Sequence, residues 1–303
     1  MISLNDTISS QLTNKESLST QPLGVIRVTG NDARKFLQGQ ITCDINKLAE
    51  NYSLYGAICS IKGRIVTNFY IAQKDTDILI LMSKDLIEKS IQHLKKYAVF
   101  FKVELVDASH EFSVFAKVSL PTQTSKPTSL PEQLDTNTDP DNGIRITACE
   151  YPIRLDYQIV SNEKSTLKES NIDLTAFAIL AARPLIRLEN SENILPQWLN
   201  MQSTGGISFT KGCYTGQEIV ARMQYKGKSP KQLAIFACKK GINLTSKITD
   251  HQGKELGYIL NSGTVDNTSY IQVIMNIAPQ DAEDLFIEGE KLFHLPLPYS
   301  INE

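Results

Sequence analysis

The sequence predicts an α+β protein that ends in a small all-β module. Three observations lead there. Between residues 22 and 118, strand-length apolar runs come in hairpin order around two short helical patterns, which favours α+β over a doubly wound sheet. After Pro230 the texture changes to short apolar runs, KQLAIFAC, GKELGYIL, SYIQVIM and DLFIEGEKL, separated by Gly, Asn and Asp, as in a small barrel. The 303 residues suffice for two or three domains with sizeable cores.

The elements follow in order. Residues 1–21 are rich in Ser, Thr and Asn and read as a loose leader. Val25, Ile26 and Val28 mark a first strand. Asn31 or Asp32 is placed to cap a helix carrying Ala33, Phe36 and Leu37. Leu54 to Ile61 and Ile65 to Ala72 form a strand pair around the tight turn Lys62-Gly63-Arg64. Asp77 to Met82 is a further strand, and Ser83 caps an amphipathic helix with Leu86, Ile87, Ile91 and Leu94 on one side. Val99 to Val106 alternates, Phe101, Val103 and Leu105 against Lys102 and Glu104, as a half-buried strand does. Phe112 to Val118 repeats that period. Residues 119–144 are poor in apolar side chains and read as an exposed, mobile loop. Strands resume at Ile144 to Ala148 and Tyr151 to Val160, and a helix spans Leu174 to Ala182. Gly227 to Pro230 is a natural junction. The expected division is a leader at 1–21, an α+β region at 22–228 and the β-module at 229–303.

Composition narrows the function classes. A net charge of -2 and a pI near 6.1 argue against a broad electrostatic footprint for nucleic acid or anionic membrane. Direct nucleic-acid binding is not expected, because no aromatic–basic RNA motif accompanies that balance. The five cysteines show no CxxC pair, and the four histidines form no ligand pattern, so neither a disulfide framework nor a metal site is expected. The polar N-terminus carries no signal-peptide pattern and no run is long and apolar enough to span a membrane, which makes the cytoplasm the expected location.

One segment stands apart: GGISFTKGCYTGQEIVARMQYKGK at 205–228. Thr215-Gly216-Gln217-Glu218 fits the capping box, with Thr215 as N-cap and Glu218 reaching back to its amide. Ile219, Val220 and Met223 supply the apolar face, and Glu218 and Arg222 are spaced to pair along the helix. Cys213 then lies two residues before the cap, where the helix dipole and Lys211 favour a thiolate and Gly212 leaves room beside the sulfur. From the residues alone two readings stay open: a reactive thiol, or a small buried hydrophobe.

With FLQGQITCDI at 36–45, KGR at 62–64, LKKYAVFFKV at 94–103, LPQWLNM at 195–201 and LPLPYSINE at the C-terminus, this segment resembles the signature of the YgfZ group of folate-binding proteins, relatives of the glycine cleavage T protein (aminomethyltransferase). The resemblance implies a glycine-cleavage-T-protein-like fold: two interleaved α+β subdomains around a central folate site, then a C-terminal β-barrel. It implies tetrahydrofolate or a derivative as cofactor, and no stable metal of the protein's own. It further implies a role in assembling or repairing iron–sulfur enzymes, tRNA-modifying ones among them, with client or assembly proteins as partners. The functional thiol would be Cys213, supported by Lys211, Gly212, Tyr214, Gly216, Gln217, Glu218 and Arg222.

The chain departs from that pattern at informative places. Where the T protein carries an Asp-Asp pair after its turn, Thr67 and Asn68 stand here, and neither performs a carboxylate's proton transfer. Aminomethyltransferase activity is therefore not expected, and a conventional turnover enzyme is not implied. Leu23 and Thr175 occupy the positions of two pterin-binding tryptophans, and Ala181-Ala182-Arg183 replaces a Glu-Ala-Gly stretch whose carboxylate pairs with the pterin. Asp44, Lys62 and Arg64 are further candidates for a folate cavity, and Gln197 for a pterin edge. The alternative function is a folate-dependent one-carbon transferase or demethylase.

Overall fold

The computed structural model describes residues 16–121, 125–127, 130–139, 143–163, 174–226, 229, 231–239, 241–265, 267–281 and 284–301. Ten strands build the first sheet: β1 (Glu16–Thr20), β2 (Leu23–Thr29), β3 (Tyr52–Cys59), β4 (Ile65–Lys74), β5 (Asp77–Ser83), β6 (Glu104–Asp107), β7 (Phe112–Ser119), β8 (Gln133–Asp139), β9 (Gly143–Cys149) and β10 (Arg154–Ser161). Their order is β1-β7-β10-β9-β8-β3-β4-β5-β2-β6. Two halves meet at the β3–β8 ladder, which pairs Tyr52 with Asp135 and Ser53 with Leu134. The chain enters one half with β1, passes to the other for β2 to β6, and returns with β7. The two α+β subdomains are thus interleaved in sequence.

Burial explains the strand texture. β4 begins IVTNFYIA and every one of those residues is buried, so it reads as a run rather than an alternation. Each fully buried Ile, Val, Leu or Phe side chain contributes about 1.5–3 kcal/mol. Helices α1 (Ala33–Gln38) and α2 (Ile87–Lys95) cover this half, presenting Phe36 and Leu37, and Ile87 and Leu94, to the core.

Helix α3 (Thr175–Leu180) and helix α4 (Gln217–Lys226) precede the second sheet. That sheet comprises β11 (Gln232–Cys238), β12 (Lys247–Thr249), β13 (Glu255–Val265), β14 (Thr268–Met275), β15 (Phe286–Ile287), β16 (Glu290–Lys291) and β17 (Phe293–Leu295), and curls into a nearly closed antiparallel barrel. It docks tightly on α3: a Cβ at Gly263 would lie 2.5 Å from the Ala176 nitrogen, and Gln272 Nε2 donates to the Ile179 carbonyl at 3.0 Å. The tail returns to the α+β region, where the Tyr299 hydroxyl donates to the Ala182 carbonyl at 3.0 Å.

Several expectations change. The end of the expected leader is β1, paired with β7; residues 1–15 lie outside the described residues. Within the expected loop 119–144, residues 133–139 form β8. Its sequence QLDTNTD buries only Leu134, so it carries the polarity of a loop. The strand expected from Val99 begins at Glu104. Residues 96–103 turn instead, and the apparent alternation reflects Phe101 packing on Phe36, with ring centroids 5.4 Å apart. Neither Asp32 nor Ser83 caps its helix through its side chain; the Asp32 carboxylate accepts from the Lys102 amide at 2.8 Å. Helix α3 stops short because Ala182 takes φ +50°. Of the expected junction, residues 227, 228 and 230 lie outside the described residues.

Candidate functional site

Cys213 is exposed, and the other four cysteines are buried. The loop that carries it is clamped on both sides. Before it, Lys211 is 9% exposed, and its ammonium donates to the carbonyls of Gln38 at 2.7 Å, Ile41 at 2.7 Å and Cys43 at 3.0 Å. Burial pulls the Lys211 pKa down to about 8. All three of its protons are thereby committed to carbonyls, so the cation expected to assist the thiol serves as an anchor. After it, Tyr214 is buried, its hydroxyl pushed up in pKa by that burial, and the Thr215 amide donates to Gly39 O at 3.1 Å. Further back, the Thr42 hydroxyl donates to Gly206 O at 2.6 Å and the Ser208 amide to Thr42 O at 2.9 Å. The bed of the loop is therefore the QGQITCD stretch, whose role the sequence reading did not assign.

Gly212 has no folding reason to be glycine. Its φ is not positive, and nothing lies within 4 Å of an added Cβ. What the glycine provides is open approach to the neighbouring sulfur.

The capping box expected at Thr215 is displaced. Helix α4 starts at Gln217, and the Gln217 side-chain oxygen accepts from the Tyr214 amide at 3.2 Å while the Gln217 amide donates to Tyr214 O at 3.1 Å. The Thr215 hydroxyl turns to Gln40 Oε1 at 3.3 Å. Gly216 explains the shift: its φ is +83°, and a Cβ there would sit 2.4 Å from Ser60 O, so the backbone turns before the helix begins. Glu218 and Arg222 are both exposed along α4.

The same contact joins the KGR turn to the thiol segment. A Cβ on Gly63 would lie 2.8 Å from Ile219 Cβ, and one on Gly216 would lie 3.1 Å from Gly63 Cα. Lys62 is exposed at the turn. Arg64 donates to Asn193 O at 2.9 Å and stands 4.8 Å from the Trp198 ring centroid, while Lys231 stands 4.3 Å from it. Gln197 is buried and donates to Val220 O in α4 at 2.7 Å. Asp44 accepts from Gln38 Nε2 at 2.9 Å and from Asn46 N at 3.2 Å, capping a short turn. The structure thus gathers Lys62, Arg64 and Gln197 around α4, and Asp44 at the end of the thiol's bed; Arg64, Gln197 and Asp44 have local partners among the described residues.

Leu23 and Thr175 come together elsewhere. Both line a cleft of about 110 Å³ between the β2 start, α3 and the barrel, with Ser83, Tyr157, Asn261 and Gln272. Among the described lining residues Arg183 and Arg187 are the charged ones, and none is a carboxylate. The Arg183 guanidinium is held by Ala148 O at 2.7 Å and Thr204 O at 3.0 Å. At the positions of the T protein's acids, Thr67 and Asn68 are fully buried. Asn68 gives its amide protons to Tyr55 Oη at 2.9 Å and Pro184 O at 2.6 Å and accepts from Ile186 N at 2.8 Å. It is a strut for the 184–186 segment.

The architecture has the fold of the glycine cleavage aminomethyltransferases. The aminomethyltransferase T of Bartonella henselae superposes with a TM-score of 0.68 at 13% identity, over 96% of this chain and 89% of its own. Residues 17–118 match the GCVT N-terminal domain. The tRNA-modifying protein YgfZ of Photorhabdus laumondii is 30% identical over 94% of this chain and 93% of its own, and that of Hamiltonella defensa is 34% identical over 88% and 85%. The chain belongs to the YgfZ family of tRNA-modifying proteins.

Proposed function

We propose that the protein supports the assembly or repair of iron–sulfur enzymes, tRNA-modifying ones among them, through the thiol of Cys213. The observation that carries this reading is the exposed sulfur on a loop anchored at Lys211 and Tyr214, beside a glycine that packing does not require. One thiolate cannot hold a cluster that takes about four ligands, so any cluster contact is shared with a partner. The test is replacement of Cys213 by Ala in cells lacking the protein, followed by assay of iron–sulfur enzyme activities and thiomethylated tRNA. Loss of rescue is expected; full rescue sinks the reading.

The fold class implies tetrahydrofolate as ligand of the cleft at Leu23 and Thr175. The lining does not fit a pterin gripped by indoles and a carboxylate. Leu23 and Thr175 offer no indole, no acid is present among the described lining residues, and about 110 Å³ falls below the ~300 Å³ of ordinary ligand clefts. Calorimetric titration is expected to show weak binding of tetrahydrofolate; saturation at micromolar concentration would restore folate to the centre of the function. The commitment of Asn68 to three structural hydrogen bonds weighs against the one-carbon transferase alternative.

A further inference from the structure

We propose that the turn Ala98–Phe101 is a docking knob, whose Val99 and Phe100 enter an apolar pocket rimmed by acidic side chains on a partner protein that works at the Cys213 loop. The last clause rests on the thiol reading above; the knob itself does not.

Val99 is 75% exposed and Phe100 is 94% exposed. They occupy the two corners of a turn closed by the Phe101 amide donating to Ala98 O at 2.9 Å. Turn corners favour Gly, Pro, Asn, Asp and Ser, each for a backbone reason. A β-branched and an aromatic residue serve neither the turn nor the core, and a large exposed apolar pair marks an interaction site.

The turn is also held rigid. The Asp32 carboxylate accepts from Lys102 N at 2.8 Å, and the Asp32 amide donates to Lys102 O at 3.2 Å. Gly30 takes φ +106°, and a Cβ there would lie 2.2 Å from Lys102 O, so the two backbones are in direct contact. Phe101 anchors inward on Phe36. A knob fixed in advance loses little conformational freedom on binding.

Charge defines the partner. Lys95, Lys96 and Lys102 flank the turn and are exposed, Lys35 is exposed next to the Phe36 anchor, and among the described residues none of the four is within ion-pair distance of a carboxylate, Lys96 acting on Glu192 only from further off. That rim calls for acids on the facing surface. A membrane is disfavoured by magnitude: one myristoyl chain is only a marginal anchor, and two side chains carry less apolar carbon. A single-stranded nucleic-acid site offers aromatic platforms along a basic groove, whereas this ring stands at a convex tip beside valine. The link to the thiol is α1. Asp32, just before α1, and Phe36 within it hold the knob, and Gln38, its last residue, with Gly39 and Gln40 beyond it hold the Cys213 loop.

The experiment uses the full chain with benzoylphenylalanine at position 100, irradiated in living cells. The expected product is a crosslink to a protein at an apolar site flanked by Asp and Glu, with yield falling about tenfold or more when Lys95 and Lys96 are both changed to Glu. In parallel, Phe100→Asp is expected to leave the Tm and the Cys213 alkylation rate unchanged and to lower restored thiomethylated tRNA about tenfold or more. Crosslinks to lipid, RNA or a second copy of this chain, or full restoration by Phe100→Asp, overturn the proposal. Full restoration by Cys213→Ala together with failure of Phe100→Asp sinks the thiol reading and leaves the knob standing.

Discussion

At the residue scale, the five cysteines divide by burial. Desolvation pushes the thiol of Cys43 to about 12, of Cys59 to about 12 and of Cys149 to about 11, so these are neither reached nor ionised at neutral pH. Brief treatment of the native protein with iodoacetamide is expected to label Cys213 alone, read by peptide mass spectrometry. Cys59 packs under Gly216, its Cβ 3.1 Å from where a Cβ on that glycine would lie, so labelling of Cys59 at a comparable rate would contradict the fold there. Lys211 provides a second prediction. Lys211→Met leaves three carbonyls without a donor and is expected to lower stability by roughly 2–4 kcal/mol in urea denaturation. The sign with pH is set by linkage: Lys211 sits at about 8 when folded and at 10.5 otherwise. Between those values the unfolded chain binds the extra proton, so its contribution to stability rises with pH through that window. The difference in stability between wild type and Lys211→Met should therefore climb from pH 8 towards 10.5; a flat difference would count against the buried ammonium. The sequence showed that Lys211 is a cation beside a thiol. It did not show which way the side chain turns, because the carbonyls that hold it lie some 170 positions away in the chain.

At the element scale, the seam between the 60–64 turn and α4 depends on two facing glycines. Gly216→Ala is expected to cost about 2 kcal/mol or more, since it combines a left-handed φ with a backbone clash at Ser60 O. The same variant should raise the hydrogen-exchange rate of the α4 amides, and an unchanged rate would mean the seam is not what fixes the helix. Capping signals were legible here only in part. Thr-x-x-Glu is a sound local pattern, but Ser60 lies too far along the chain to enter it, and its carbonyl moves the start of α4 to Gln217. β8 and the 98–101 turn teach the converse. A polar strand on one edge of a sheet half reads as a loop, and an alternating run reads as a strand when its apolar members serve a turn anchor and a surface knob instead.

At the scale of the whole molecule, the barrel and the α+β class were legible from texture and order, because hairpin spacing and the change after Pro230 are sequence-local; the interleaving of the two subdomains came only from the resemblance. The docking of the barrel on the α+β region was not legible. It rests on Gly263 against Ala176, Gln272 to Ile179 and the returning Tyr299, none of which leaves a pattern in the chain. The cleft at Leu23 and the thiol loop share no lining residue among those described, so the two are addressable by different mutations. The docking also places the protein's single tryptophan between Arg64, from the β3–β4 turn, and Lys231, which leads into the barrel. Trp198 is thus a built-in optical gauge: movement of the barrel against the α+β region changes the cations facing the indole, and its emission reports that movement without any attached dye.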